Sequence, residues 1–151
     1  MTLTTEDKTE IVELTNRFNF MVDNWQLEDM IDMFTDDGIM DHPAGYGAGK
    51  PDIRKFYEGY KPETLGVRHQ SFNHVVSMNE DGTVRMVSTL LVVRATAPQD
   101  NTDLFESPRV LESEAFPSIL AIALITDDLK KVNGSWKFAR RYVGQVVARK
   151  K

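Results

Sequence analysis

The spacing of apolar residues changes once along this chain, and that change limits what it can fold into. Over the first sixty residues they recur at helical intervals, with Ile11, Leu14, Phe18, Met21, Val22 and Trp25 forming one stripe. Beyond residue 66 the chain reads as β-branched runs, punctuated by Asp81-Gly82 and Asn133-Gly134, both hairpin signals. Helices grouped ahead of a long antiparallel run describe an α+β domain, not alternating βαβ units. The 151 residues suffice for one such domain, spanning 1–151, with a real core.

Thr4 or Thr5 caps the first helix, ahead of Glu6 and Asp7 in a first turn that favours negative charge. A short second helix buries Leu27, Met30, Ile31 and Phe34 and breaks at Asp36-Asp37-Gly38, where turn chemistry replaces helix chemistry. A short strand at 39–41 follows, then an irregular loop marked by Gly45, Gly47 and Gly49. Pro51 starts a third helix whose inner side is Ile53, Phe56, Tyr57 and Tyr60. Strands are predicted over 67–78, 83–95, 118–131 and 135–148. Residues 96–117, with Pro98, Pro108 and Pro117, form the one long loop, a candidate lid. Long strands curling around the first helix make a cone-shaped, curved antiparallel sheet with a tapered interior for a small-molecule ligand.

The net charge of −5 argues against nucleic acid, because phosphates reward a basic stripe. Arg140-Arg141 and the tail Arg149-Lys150-Lys151 are the dense basic spots. Cysteine is absent, which excludes disulfides, thiolate nucleophiles and cysteine-type zinc sites. No apolar run approaches the roughly 20 residues that cross a bilayer, and the first residues lack a secretion signal, so no membrane association and a cytoplasmic location are expected.

Among polar residues, Asp23 near the end of the first helix and His69 at the start of a strand are the pair of interest. A carboxylate beside an imidazole orients the ring and strengthens it as a base. On an ideal helix Asp23 points away from the Phe18 stripe, so it is either solvated or lines a pocket from the helix's other side. Alternation puts His69, Ser71, Asn73 and Val75 on one strand face and His74 on the other. Asp41-His42 lacks the converging spacing a metal needs, so no metal is expected, and His42 is read instead as a contact at the cavity mouth. The Gly45–Gly49 loop has the wrong spacing for a dinucleotide fingerprint, and no cofactor is expected.

Residues 18–23 (FNFMVD), 27–37 (LEDMIDMFTDD), the small-residue loop at 45–50, residues 69–73 (HQSFN) and 134–138 (GSWKF) together resemble the NTF2-like superfamily in its SnoaL-like branch. The resemblance covers nearly the whole length and implies a cystatin-like α+β barrel. It implies a cofactor-independent lyase or isomerase on a small, largely apolar carbonyl or cyclic compound. The Asp23/His69 pair is similar to the Asp–His dyad of scytalone dehydratase, the lindane dehydrochlorinase and the bile-acid 7α-dehydratase, in which the His takes a proton as a leaving group departs. Phe18, His42, Tyr46, Tyr60 and Asn73 are then the substrate-binding candidates. Phe18 stands where the dehydratases often place a tyrosine, and Arg140 or Arg141 is of the type the dehydrochlorinase uses on a later strand. The alternative is a non-catalytic small-molecule-binding or assembly module on the same fold. An exposed sheet face predicts a homodimer or homotrimer.

Overall fold

The computed structural model describes residues 2–100 and 109–150. The chain runs α1 (Thr5–Asp23), α2 (Leu27–Asp32), β1 (Phe34–His42), β2 (Gly45–Ala48), α3 (Lys50–Thr64), β3 (Val67–Met78), β4 (Val84–Arg94), β5 (Ser118–Val132) and β6 (Ser135–Ala148). The centre of the candidate lid, 101–108, lies outside the described residues, and the lid expectation with it.

Helix α1 is fixed at both ends. Thr4 caps it: its hydroxyl accepts from the Asp7 N–H at 3.0 Å, while the Asp7 carboxylate accepts from the Thr4 N–H at 3.0 Å. The same carboxylate accepts from Lys131 Nζ and Trp136 Nε1, each at 3.1 Å, which ties the helix start to the β5–β6 hairpin. These donors, led by Thr4, hold the Asp7 carboxyl well below the usual carboxylate range. At the other end Asp23 is anchored on β3.

The sheet order is β2-β1-β6-β5-β4-β3. The meander β3–β6 is antiparallel as expected, but β1 pairs with β6 in parallel, and the curved sheet stays open with β2 and β3 at its edges. It is a cone, not a closed barrel. Two local expectations also change. Asp36-Asp37-Gly38 does not end a helix; it lies inside β1, where pairing with β6 slips between Phe34 and Ile39. The glycine-marked loop at 45–48 is strand β2, closing a hairpin with β1.

Two bulges decide which side chains enter the cone. On β3 the register passes from Phe72↔Thr89 to Val75↔Val87, three residues against two, and Asn73 takes a positive φ of 57°. On β6 it passes from Phe138↔Leu129 to Arg140↔Asp128, with Ala139 as the extra residue. Each bulge reverses the inward and outward alternation beyond it. Where the cone narrows, Phe18, Phe34 and Phe138 pack with ring centroids 5.5–5.8 Å apart, all nearly or fully buried.

Candidate active site

The buried side of α1 is broader than the predicted stripe. Ile11, Phe18, Met21 and Val22 are buried as predicted, Thr15, Asn19 and Asp23 are buried beside them, and Leu14 and Trp25 are only half-buried. Thr15, Asn19 and Asp23 recur every fourth residue and form a polar ridge facing β3. Four helix residues climb about 6 Å and two strand residues about 6.7 Å, so ridge and strand stay in step. Asn19 Nδ2 donates to Ser71 Oγ at 2.6 Å, and one rung further Asp23 meets His69. A third rung would fall near the β3 bulge, and Thr15 Oγ1, at the corresponding place on the helix, has no hydrogen-bond partner among the described residues.

Asp23 Oδ1 lies 2.7 Å from His69 Nδ1, and the His69 backbone N–H donates to the same carboxylate at 3.0 and 3.2 Å. Both side chains are nearly buried, 8% and 11% exposed. A carboxylate only accepts, so the proton between them belongs on Nδ1 and the lone pair on Nε2. The imidazole is thus oriented by two contacts from one acid. Its ring lines a small cavity with Phe18, Val22, Met40, His42, Tyr57, Tyr60, Leu90 and Arg141.

Arg141 is the buried cation of that cavity, 2% exposed. Its guanidinium packs against two adjoining rings, 4.7 Å from the Phe18 centroid and 4.8 Å from Phe138, a cation–π contact with each. Asp127, fully buried on β5, approaches it at 3.7 Å. Neither Asp127 oxygen nor Arg141 Nη1 finds a hydrogen bond among the described residues. Burial pushes the Asp127 carboxyl up to about 6, against the pull of Arg141.

His42 closes the cavity toward the surface, packed on Phe56 and Tyr60. Burial, with the His69 ring adding to it, lowers its imidazole to about 4, so it is neutral at pH 7. The Tyr57 hydroxyl, raised well above its usual range by burial, donates to Met40 Sδ at 3.3 Å. The cavity holds about 40 Å³, room for one or two waters and too little for a ring-sized ligand. Tyr60 is shared with an open groove on the outer side of α3 and β2.

The SnoaL-like domain family matches residues 3–142, nearly all of the chain. The chain belongs to that family. No curated protein matches. A Nostoc punctiforme protein of unknown function with a cystatin-like fold is 28% identical, covering 95% of this chain and 93% of that one, TM-score 0.74. ActVI-ORFA from Streptomyces coelicolor is 18% identical over 93% and 96%, TM-score 0.74. A candidate scytalone dehydratase from Novosphingobium aromaticivorans is 19% identical over 96% and 89%, TM-score 0.68.

In this SnoaL-like chain the expected site residues divide. Phe18, His42, Tyr60 and His69 line the cavity, with Asp23 behind His69. Asn73 does not: it is exposed at the bulge, and His74 takes the inward place instead, its Nε2 buried and its imidazole lowered by burial and the charge of Arg141. Tyr46 is 61% exposed and borders the outer groove, not the cavity. Arg140 faces outward, donating to Asp41 at 2.8 Å, so Arg141 alone of the two enters the cone. Asn19, Tyr57 and Asp127 escape the sequence reading, which leaves Arg141 as an alternative to Arg140. The i, i+4 polar ridge and an Asp inside the apolar row Ile125, Asp127, Leu129 were the signals that could have found two of them. Among the described residues no three His, Asp or Glu converge on a metal position, and no helix is long and apolar enough to cross a membrane.

Proposed function

We propose that this chain is a cofactor-independent lyase or isomerase acting on a small carbonyl compound, with His69 as general base. SnoaL-like domains are often isomerases or dehydratases, which supports the class. The observation that carries the reading is the 2.7 Å contact of Asp23 with His69 Nδ1, which leaves Nε2 bare on a cavity wall. In this reading Nε2 takes a proton from the carbon next to the carbonyl, and the C–H electrons pass into an enolate. The Asp23 carboxylate stabilises the imidazolium that forms. Arg141, packed against Phe18 and Phe138, offsets the negative charge that develops. The enolate then expels a group from the β carbon: a hydroxyl leaves as water with the proton returned from Nε2, and a halide leaves as the anion while the proton goes to solvent. In an isomerase the proton returns to another carbon.

The test is His69→Ala against the native chain on aldols, hydroxy-ketones and halocarbons. Loss of about 10³-fold or more in turnover, with the fold intact, supports the base. Unchanged turnover in every active assay removes His69 from the mechanism. A second reading, a binding or assembly module, is favoured by one observation, the cavity of about 40 Å³. A molecule that co-purifies at one per chain and is not turned over would decide for it. Self-association belongs to either reading: Phe72, Val75, Ile122 and Val147 leave apolar area exposed on the sheet strands.

A further inference from the structure

The cavity contains two imidazoles, and their outer contacts set them to opposite polarity. His69 meets a carboxylate at Nδ1, so its free nitrogen accepts. At His42 the neighbour is a backbone amide: the Ala44 N–H donates to Nδ1 at 2.9 Å. A peptide N–H only donates, so Nδ1 of His42 carries the lone pair and the proton of the neutral ring sits on Nε2. Among the described residues that Nε2–H meets no acceptor, although the ring lines the cavity. Protonating the ring would break the Ala44 contact and place a second positive charge near Arg141 and beside His69.

We propose that His42 is the carbonyl-binding residue of this site, a neutral Nε2–H donor that receives the substrate oxygen while the carbon beside that carbonyl faces His69. This rests on the lyase reading and deepens it by naming the acceptor the cavity selects: a ketone or aldehyde oxygen on the mouth side, where His42 packs against Tyr60 and Phe56. It also supplies the hydrogen bond that Phe18 cannot give. Tyr57 is the competing donor, but its hydroxyl is already given to Met40 Sδ. A neutral imidazole suits the task because it donates without adding charge that would draw the base's proton away. Its lowered basicity keeps it neutral through the pH range in which a carbonyl substrate would be handled.

Two measurements test this. Long-range ¹H–¹⁵N correlation on the ¹⁵N-labelled protein at pH 5.5 and 7.5 reads the tautomer of each imidazole, with His42 assigned by its loss in His42→Gln. A Nε2–H tautomer at both pH values supports the proposal; a Nδ1–H tautomer, or an imidazolium at pH 5.5, overturns it. The second measurement follows dehydration of 4-hydroxybutan-2-one to the enone. His42→Phe, which keeps the ring and removes the donor, is expected to lower kcat/KM about 100-fold, mostly in kcat. His42→Gln, which restores an N–H, is expected to recover about 10-fold of that, and Tyr57→Phe to lose less than His42→Phe. Equal rates for His42→Phe and native, or a larger loss in Tyr57→Phe, overturn the proposal. No turnover of this ketone by the native chain counts against the lyase reading, while the tautomer measurement still decides the donor.

Discussion

Two acid–base pairs flank the same cavity, and they are built on opposite terms. At the mouth, Asp23 accepts from His69 at both the ring and the backbone, with contacts of 2.7, 3.0 and 3.2 Å. Deep in the cone, Asp127 stands 3.7 Å from Arg141 with neither oxygen hydrogen-bonded among the described residues. In the first pair the acid's work is orientation, and geometry is satisfied. In the second, two charges are held out of water with attraction but little hydrogen bonding, an arrangement whose net worth is small and whose disruption is costly. The difference teaches how each acid acts: the satisfied pair fixes the orientation of an imidazole, on which the proposed base depends, and the unsatisfied pair holds a charge in place by packing.

The largest expected effect comes from splitting the deep pair. Asp127→Leu leaves Arg141 buried without its counter-charge, and urea unfolding at pH 7.5 is expected to show a loss of about 3–5 kcal/mol. Adding Arg141→Met removes the stranded cation as well, and the double variant is expected to return to within about 1.5 kcal/mol of the native chain. Additive losses in the double variant would mean that the two side chains do not form a pair.

Next in size is a dependence on pH. The Asp127 carboxyl rises from 3.8 to about 6 on folding, chiefly through burial, so the folded state binds its proton more tightly than the unfolded chain. Stability from this group is therefore full below about pH 4 and is lost as pH rises through 6. Compared with Asp127→Asn, which cannot titrate, the native chain is expected to lose about 2.5 kcal/mol between pH 4 and pH 7, most of what 1.36 kcal/mol for each pH unit separating the two values allows. Parallel urea titrations at the two pH values check it, and a difference that does not move with pH would place Asp127 in contact with water.

These pairs also show how far the sequence could be read. The mouth pair was legible through the family resemblance, helix periodicity alone leaving Asp23 undecided, and the pairing holds because Asp23 ends a continuous helix and His69 precedes any irregularity in β3. Past Asn73 the alternation reverses, so an even count from His69 selects Asn73, which is exposed, and sends outward His74, whose ring turns inward. Counting inward residues on β6 from Trp136 and Phe138 would choose Arg140, and the extra Ala139 makes it Arg141. A bulge is one residue with local strain, and neither Asn-His nor Ala-Arg announces it. The three helices, the order of the β3–β6 meander, the β3 and β6 boundaries and the hairpin turns at 81–82 and 133–134 were legible from periodicity and turn residues, whereas β2 was not. The parallel β1–β6 pairing was not, because a pairing between strands so distant in sequence leaves no local trace.

The smallest expected effect on stability is at the mouth, and it sharpens the contrast most. Asp23→Asn keeps an amide oxygen able to accept from the His69 N–H groups, so the folded state loses charge but keeps most of its contact geometry. Stability is expected to fall by about 1 kcal/mol or less, the range of a single weakened hydrogen bond. Turnover by the same variant is expected to fall about 10²–10⁴-fold, because a neutral amide no longer stabilises an imidazolium and can hold the ring in the wrong tautomer. Urea unfolding and the dehydration assay on one preparation separate the two quantities. A stability loss as large as that of Asp127→Leu, with a matching loss of activity, would erase the distinction between the pairs and return Asp23 to a structural role.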